Sequence, residues 1–68
     1  MKHHFPNHSF LASCDHDKDL NVMHITFTNG KTYSYGDCDK NDFEAFKNAE
    51  SAGKHYAKIK ASKGMYQS

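Results

Sequence analysis

Sixty-eight residues with a net charge of +1 make one small domain, because a chain of about 60 residues buries only about 60% of the surface its unfolded form exposes. That leaves no room for a second domain or a deep catalytic cleft. Hydrophobic residues are 37% of the chain, and five Phe and four Tyr concentrate the apolar area in a few large side chains, which favours a compact aromatic core over disorder. No run approaches the ~20 apolar residues of a membrane span, and residues 1–10 lack the apolar stretch of a signal peptide, so a soluble cytoplasmic protein is expected.

The charge is unevenly spread. Residues 15–52 carry eight acids against Lys18, Lys31, Lys40 and Lys47, whereas residues 53–68 carry Lys54, Lys58, Lys60 and Lys63 with no acid. This is a basic end on an acidic body. Every cation is Lys and none is Arg, which counts against bidentate recognition of phosphate or guanine. Cys14 and Cys38 are too few and too far apart for a disulfide framework and read as small buried hydrophobes.

Residues 1–8, with three histidines and Pro6, read as a flexible, irregular arm. A first strand is expected over 9–15, with Phe10, Ala12 and Cys14 on one parity and Leu11 and Ser13 on the other. Asp15 to Asp19 suits a turn, since Asp side chains bond nearby backbone. The second strand, 21–28, carries a phase conflict. Leu20 and Val22 share one parity while Met23, Ile25 and Phe27 share the other. The three larger residues are taken as core-facing, with Leu20 and Val22 covering the second face, lying in the turn, or accommodated by a bulge near Val22.

Asn29-Gly30 then predicts a two-residue type I′ loop, which needs φ > 0 at both positions, and a third strand over 31–37. In that register Thr26 faces Tyr33 and His24 faces Tyr35, which sets both tyrosines opposite Met23, Ile25 and Phe27. A bulged or longer loop over Thr28 to Lys31 returns them to the core, because a one-residue slip moves every side chain to the other face. After Gly36 the period changes. Asp39 is an N-cap, Asp42 complements the helix N-terminus, and Phe43, Phe46, Ala49 and Ala52 make an apolar stripe, so the main helix is expected over 40–52 with Gly53 at its C′ position. A short basic helix over 54–61 turns Tyr56 and Ile59 inward and Lys54, Lys58 and Lys60 outward, and residues 64–68 fray, with Met65 and Tyr66 able to tuck back. The expected fold is α+β: a three-stranded antiparallel β-meander under one main helix and a short second one. The domain proper spans 9–62, with a frayed C-terminus over 63–68.

With the hairpin and helix placed, the chain resembles the KTSC domain, a small family named for its occurrence at the C-terminus of some lysyl-tRNA synthetases and also found free-standing in bacteria and phages. The matching residues are the strand from Ser9 through Ala12-Ser13, the alternating Met23/Ile25/Phe27, Asn29-Gly30, Tyr33-Ser34-Tyr35 as the family's Tyr-x-Tyr, Phe43 and Phe46, Ser51-Ala-Gly53, and Tyr56. They cover about residues 9–60. The chain departs from the family in lacking a Pro at Asp39 or Lys40, in having Tyr56-Ala57 in place of a Phe-Asn pair, in being one residue shorter around Lys58-Ile59, and in keeping only Met65-Tyr66 of a basic Tyr-Pro-Tyr type ending. The resemblance implies no established activity; its synthetase context implies RNA binding by association only.

Catalysis is not expected. No motif carries catalytic mechanics, and pairing Cys14 or Cys38 with His16 or His24 would leave a nucleophile that so small a domain cannot shield from water. No cofactor is expected. Nor is a metal: His3, His4, His8, His16, His24 and His55 lack the paired spacing of a closed zinc site. A non-catalytic binding module is the leading expectation, serving as a protein-binding adaptor or inhibitor, or self-associating. Its candidate contact residues are Tyr33, Tyr35, His24, Lys54, Lys58 and Lys60. RNA binding through the tyrosines and the lysine end is the alternative, since bases stack on exposed aromatics, and a small nucleotide is a further candidate ligand.

Overall fold

In the computed structural model, which describes residues 1–64, the chain runs β1 (Lys2–His4), β2 (Leu11–Asp17), β3 (Val22–Phe27), β4 (Thr32–Tyr35), α1 (Lys40–Lys47) and α2 (Ala52–Ser62). The fold is α+β, with one antiparallel sheet in the order β1-β2-β3-β4. The expected three-stranded meander is therefore corrected to four strands. The additional strand comes from the stretch read as an arm: Lys2, His3 and His4 pair with Asp15, Cys14 and Ser13. Only His3 of β1 turns to the core side, so three residues hold no alternation long enough to read as a strand. Beyond β1 the Phe5 N–H donates to the Ala12 carbonyl at 3.0 Å, and the Phe5 ring lies 5.0 Å from that of Phe46. His8 Nδ1 accepts the N–H groups of Phe10 and Leu11 at 3.2 and 3.1 Å and fixes the turn into β2.

The register of β2 against β3 shifts between Leu11 and Ser13. This bulge brings Leu11 and Cys14, of opposite parity, into the same core, both with no exposed surface, as an extra residue does when it bends one strand of a pair. The bulge thus falls on β2, not near Val22. Val22 is buried and its neighbour Leu20, in the turn, is 56% exposed. That turn is held by Asp17 Oδ1, which accepts the N–H groups of Asp19 and Leu20 at 3.0 and 3.3 Å.

The β3–β4 loop has three residues. The Phe27 N–H donates to Lys31 O at 2.8 Å, the Gly30 N–H donates to Phe27 O at 3.0 Å, and Gly30 alone has a positive φ, +89°. This is a type I turn closed by a left-handed glycine, the common three-residue hairpin, rather than the expected type I′ loop. The consequence is the register: Met23 pairs with Tyr35 and Ile25 with Tyr33, so both tyrosines share the core face of the sheet with Met23 and Ile25.

Helix α1 begins at Lys40 as predicted, behind a reciprocal cap. Asp39 Oδ1 accepts the Asp42 N–H at 2.9 Å and Asp42 Oδ2 accepts the Asp39 N–H at 3.0 Å. The Asp42 N–H first of all holds the Asp39 carboxyl below its ordinary 3.8, against an opposing desolvation and with weaker help from the Asp42 side chain, the Asn41 N–H and the Lys63 charge. A depressed carboxylate contributes stability above its unfolded value that is lost as pH falls through the folded one. Asp39→Ala is accordingly expected to melt lower than the wild type at neutral pH, with the difference shrinking once pH drops well below 3.8; melting curves of both proteins at the two pH values check this.

The helix ends at Lys47, not Ala52. Asn48 caps it, and Ser51 Oγ then accepts the Lys54 N–H at 3.5 Å to open a separate helix, a start signal hidden inside the apolar stripe. Gly53 consequently sits in the first turn of α2 and ends nothing. Phe43, Phe46 and Ile59 press on the sheet face that carries Leu11, Cys14, Met23, Ile25 and Tyr35, and Lys63 pairs with Asp42 at 3.4 Å between the two helices. Of the C-terminal stretch 63–68 expected to fray, Lys63 makes that ion pair and the Gly64 carbonyl accepts the Gly36 N–H at 3.0 Å, while 65–68, with Met65 and Tyr66, lie outside the described residues.

Candidate functional site

The core is not sealed along the side where the hairpin meets α2. Phe27 sits at the centre of an aromatic shelf, its ring 5.5 Å from Tyr33, 5.2 Å from Tyr56 and 6.5 Å from Phe10. Phe10 is 41% and Tyr33 37% exposed. The shelf depends on Gly53, since a Cβ there would stand 3.0 Å from Phe10 Cζ and 3.3 Å from Cε1. That is tighter than most real Cβ contacts, so a larger residue at 53 would press the Phe10 ring aside by a few tenths of an ångström. Behind the shelf the Tyr35 and Tyr56 hydroxyls share a hydrogen bond of 2.7 Å. Burial, followed by that bond and the neighbouring Tyr56 and Tyr33 hydroxyls, pushes the Tyr35 phenol above its ordinary 10.0, so it stays a neutral hydrogen-bonding group.

Beside the shelf lies the edge strand β4. Antiparallel pairs alternate between those that exchange hydrogen bonds and those that do not. With Phe27 and Lys31 bonded, Tyr33 and Tyr35 point their backbone groups at β3, and Thr32 and Ser34 point theirs outward. Among the described residues no strand pairs with that outer side. Gly36, the next outward residue, donates its N–H to Gly64 O at 3.0 Å, which covers that end of the edge. Thr32 to Tyr35 carry no charge, Pro or bulge, the devices that ordinarily blunt an edge. The opposite edge, β1, carries Lys2.

The six candidate residues from the sequence do not form one site. Tyr33 is on the shelf, and Tyr35 is 3% exposed in the core. His24 is on the other, polar face of the sheet, sharing a 2.6 Å hydrogen bond with Ser34 Oγ and lining a concavity of about 640 Å³ with Asp15, Asp17, Lys18 and Lys40. Lys54 and Lys58 line a second concavity of about 470 Å³ with Glu50, Ser51 and His55, on the flank of α2 where His55 stacks on Phe46 at 5.5 Å. Lys60, one helical turn after Tyr56, follows the shelf flank. Phe10, Phe27 and Tyr56 are the shelf residues that sequence reasoning assigned only to the strand and core patterns; the Ser51-Ala-Gly53 break, read as a helix end, held the signal that something packs closely there.

The thiols offer no nucleophile. Cys14 and Cys38 are free and have no exposed surface. Burial first, then the Asp15 charge, pushes the Cys14 thiol up to about 12 against a weaker opposing bond from the His3 backbone. Burial first, then Asp42, pushes Cys38 up to about 11. Reaction needs thiolate, so both cysteines are expected to stay unlabelled by a disulfide reagent in the native protein and to react fully in denaturant. A time course of thiol labelling measures this directly. His16, 3% exposed, donates from Nε2 to Cys38 O at 2.7 Å and lies 5.8 Å from the Phe43 ring, with Nδ1 unpartnered among the described residues. No group of three or more His, Cys, Asp and Glu among the described residues is arranged to hold a metal, and no described helix is long and apolar enough to cross a membrane.

Comparison with known proteins places this architecture. The KTSC domain family model matches residues 7–63. The chain belongs to the KTSC domain family. The crystal structure of a KTSC domain protein from Yersinia pestis superposes with a TM-score of 0.80 at 23% sequence identity, over 100% of this chain and 99% of that one, a likeness of fold. No curated protein matches the sequence.

Proposed function

We propose that this KTSC domain is a non-catalytic binding module that takes an extended protein segment along β4. The outward N–H and C=O groups of Thr32 and Ser34 hydrogen-bond the incoming strand, and an apolar side chain of that strand rests on the shelf of Phe10, Phe27 and Tyr33. The observation that carries this reading is the coincidence, in one place, of an uncharged edge that no strand among the described residues pairs with and a partly open aromatic surface. Strand addition supplies affinity through main-chain bonds and specificity through alternate side chains, and exposed tyrosine anchors are typical of protein interfaces. The lysines favour nucleic acid less, because Lys54 and Lys58 open with Glu50 on the other flank of α2, away from the rings on which bases would stack.

Selection of extended peptides from a display library against dilute protein tests the reading. Selected peptides are expected to shift the amide resonances of Thr32 and Ser34, to keep their affinity in moderate salt, and to lose it with Tyr33→Ala. Shifts confined to Lys54 and Lys58, or binding of RNA or a nucleotide that weakens steeply with salt in place of peptide binding, would overturn it.

A further inference from the structure

Resting on the reading of β4 as a strand-accepting edge, we infer that the segment it accepts is β4 of a second copy of this chain, in antiparallel register centred on Tyr33. Three features of the edge converge on that register. Among the described residues, Thr32 and Ser34 are the ones whose outward backbone groups have no partner, because the Gly36 N–H is committed to Gly64 O. An antiparallel pair centred on Tyr33 sets Thr32 of each copy opposite Ser34 of the other, so both sets of free groups exchange N–H···O=C bonds and the Gly36–Gly64 bond stays intact. A register one pair further along, centred on Ser34, would need the Gly36 N–H and is disfavoured.

The side chains agree with this pairing on both faces. On the core face the two Tyr33 rings become a non-hydrogen-bonded cross-strand pair, with Cα atoms about 4.5 Å apart. They close the open side of each shelf, so the sequence Ile25, Tyr33, Tyr33 of the second copy, Ile25 of the second copy runs across one continuous sheet. On the polar face the hydroxyl of Thr32 meets that of Ser34 from the second copy. This extends the existing rows in which Thr26 bonds Thr32 at 3.0 Å and His24 bonds Ser34 at 2.6 Å. Charge agrees as well: β4 itself is neutral, Lys31 precedes it and Asp37 follows it. Antiparallel pairing brings the Lys31 end of each strand to the Asp37 end of the other, whereas parallel pairing would set like beside like.

Sedimentation of the full chain over a wide concentration range, with the Tyr33→Lys and Leu20→Lys variants beside it, tests the inference. Wild type and Leu20→Lys, which changes an exposed residue in the β2–β3 turn, are expected to dimerise. Tyr33→Lys sets two ammonium groups against each other at the two-fold axis and is expected to weaken the dimer by at least about tenfold, with circular dichroism unchanged because Tyr33 is already 37% exposed in the monomer. A second measurement does not depend on that variant folding: under mild oxidation Tyr33→Cys forms an interchain disulfide, since its Cα atoms come within bridging distance, and Leu20→Cys does not. A wild type that stays monomeric while selected peptides still shift Thr32 and Ser34 overturns the second copy as occupant and leaves the strand-accepting edge standing. A monomer that no peptide addresses at β4 overturns both. A dimer indifferent to Tyr33→Lys, with no cross-link at Tyr33→Cys, overturns the inference by placing the interface elsewhere.

Discussion

Phe46→Ala is expected to leave little folded protein at 25 °C. Phe46 has no exposed surface, and it ties three parts of the chain together: it belongs to α1, its ring lies 5.0 Å from Phe5 at the end of β1, and it stacks at 5.5 Å on His55 of α2. Truncating a buried Phe removes transfer free energy and leaves a cavity, costing about 3–5 kcal/mol. A domain of 68 residues has a total stability of roughly 3–10 kcal/mol, and a core this small has few other contacts with which to close the gap. Phe46→Leu keeps most of the volume and is expected to fold with a lower midpoint. Urea denaturation followed by far-UV circular dichroism separates the two; equal stability of Phe46→Ala and the wild type would mean that Phe46 does not couple the arm to the helices.

The two tyrosines of the Tyr-x-Tyr stretch are expected to answer in opposite ways. Tyr35→Ala removes a side chain that is 3% exposed and leaves the Tyr56 hydroxyl without its 2.7 Å partner. It should cost about 3–5 kcal/mol by the same cavity argument and abolish the folded signal. Tyr33→Ala removes a ring already open to water and should cost about 1 kcal/mol or less, yet it should eliminate strand binding at β4. Tyr35→Phe isolates the hydroxyl, with an expected loss of about 1 kcal/mol. Chemical denaturation of the three variants, set against their binding of selected peptides, gives two independent readouts, and a Tyr33→Ala that unfolds as readily as Tyr35→Ala would remove Tyr33 from the binding surface and place it in the core.

Much of the architecture was legible because it rests on local rules. Alternation at Met23, Ile25 and Phe27 marked β3, Asp39 and Asp42 marked the start of α1, and Tyr56 and Ile59 marked the inward side of α2. The errors share a cause, competition between a local signal and a contact made from far along the chain. Asn29-Gly30 is a strong signal for a type I′ loop, but the tyrosines reach the core only if one more residue enters the loop, and burying Tyr35 outweighs the preference of the dipeptide. Ala49 and Ala52 continue the apolar stripe of α1, but Ser51 can cap a new helix whose direction brings Tyr56 and Ile59 onto the sheet. Gly53 reads as a terminator because its other use, making space for Phe10 more than forty positions earlier in the sequence, has no local trace.

The candidate site follows the same division. Sequence alone determined that the chain is a small α+β domain with aromatics concentrated around a hairpin, an acidic body and a basic end, since these follow from composition and short-range periodicity; its KTSC character was legible through the resemblance of its motif residues to that family. Only the tertiary structure decided that Lys2–His4 joins the sheet, that Tyr35 is core and Tyr33 surface, that Lys54, Lys58 and His24 face away from the shelf, and that β4 is an uncharged edge with no strand partner on its outer side among the described residues. Each of those depends on register or on which element covers which face, and a one-residue slip between β3 and β4, invisible in composition, would by itself exchange the faces of Tyr33 and Tyr35 with those of Thr32 and Ser34.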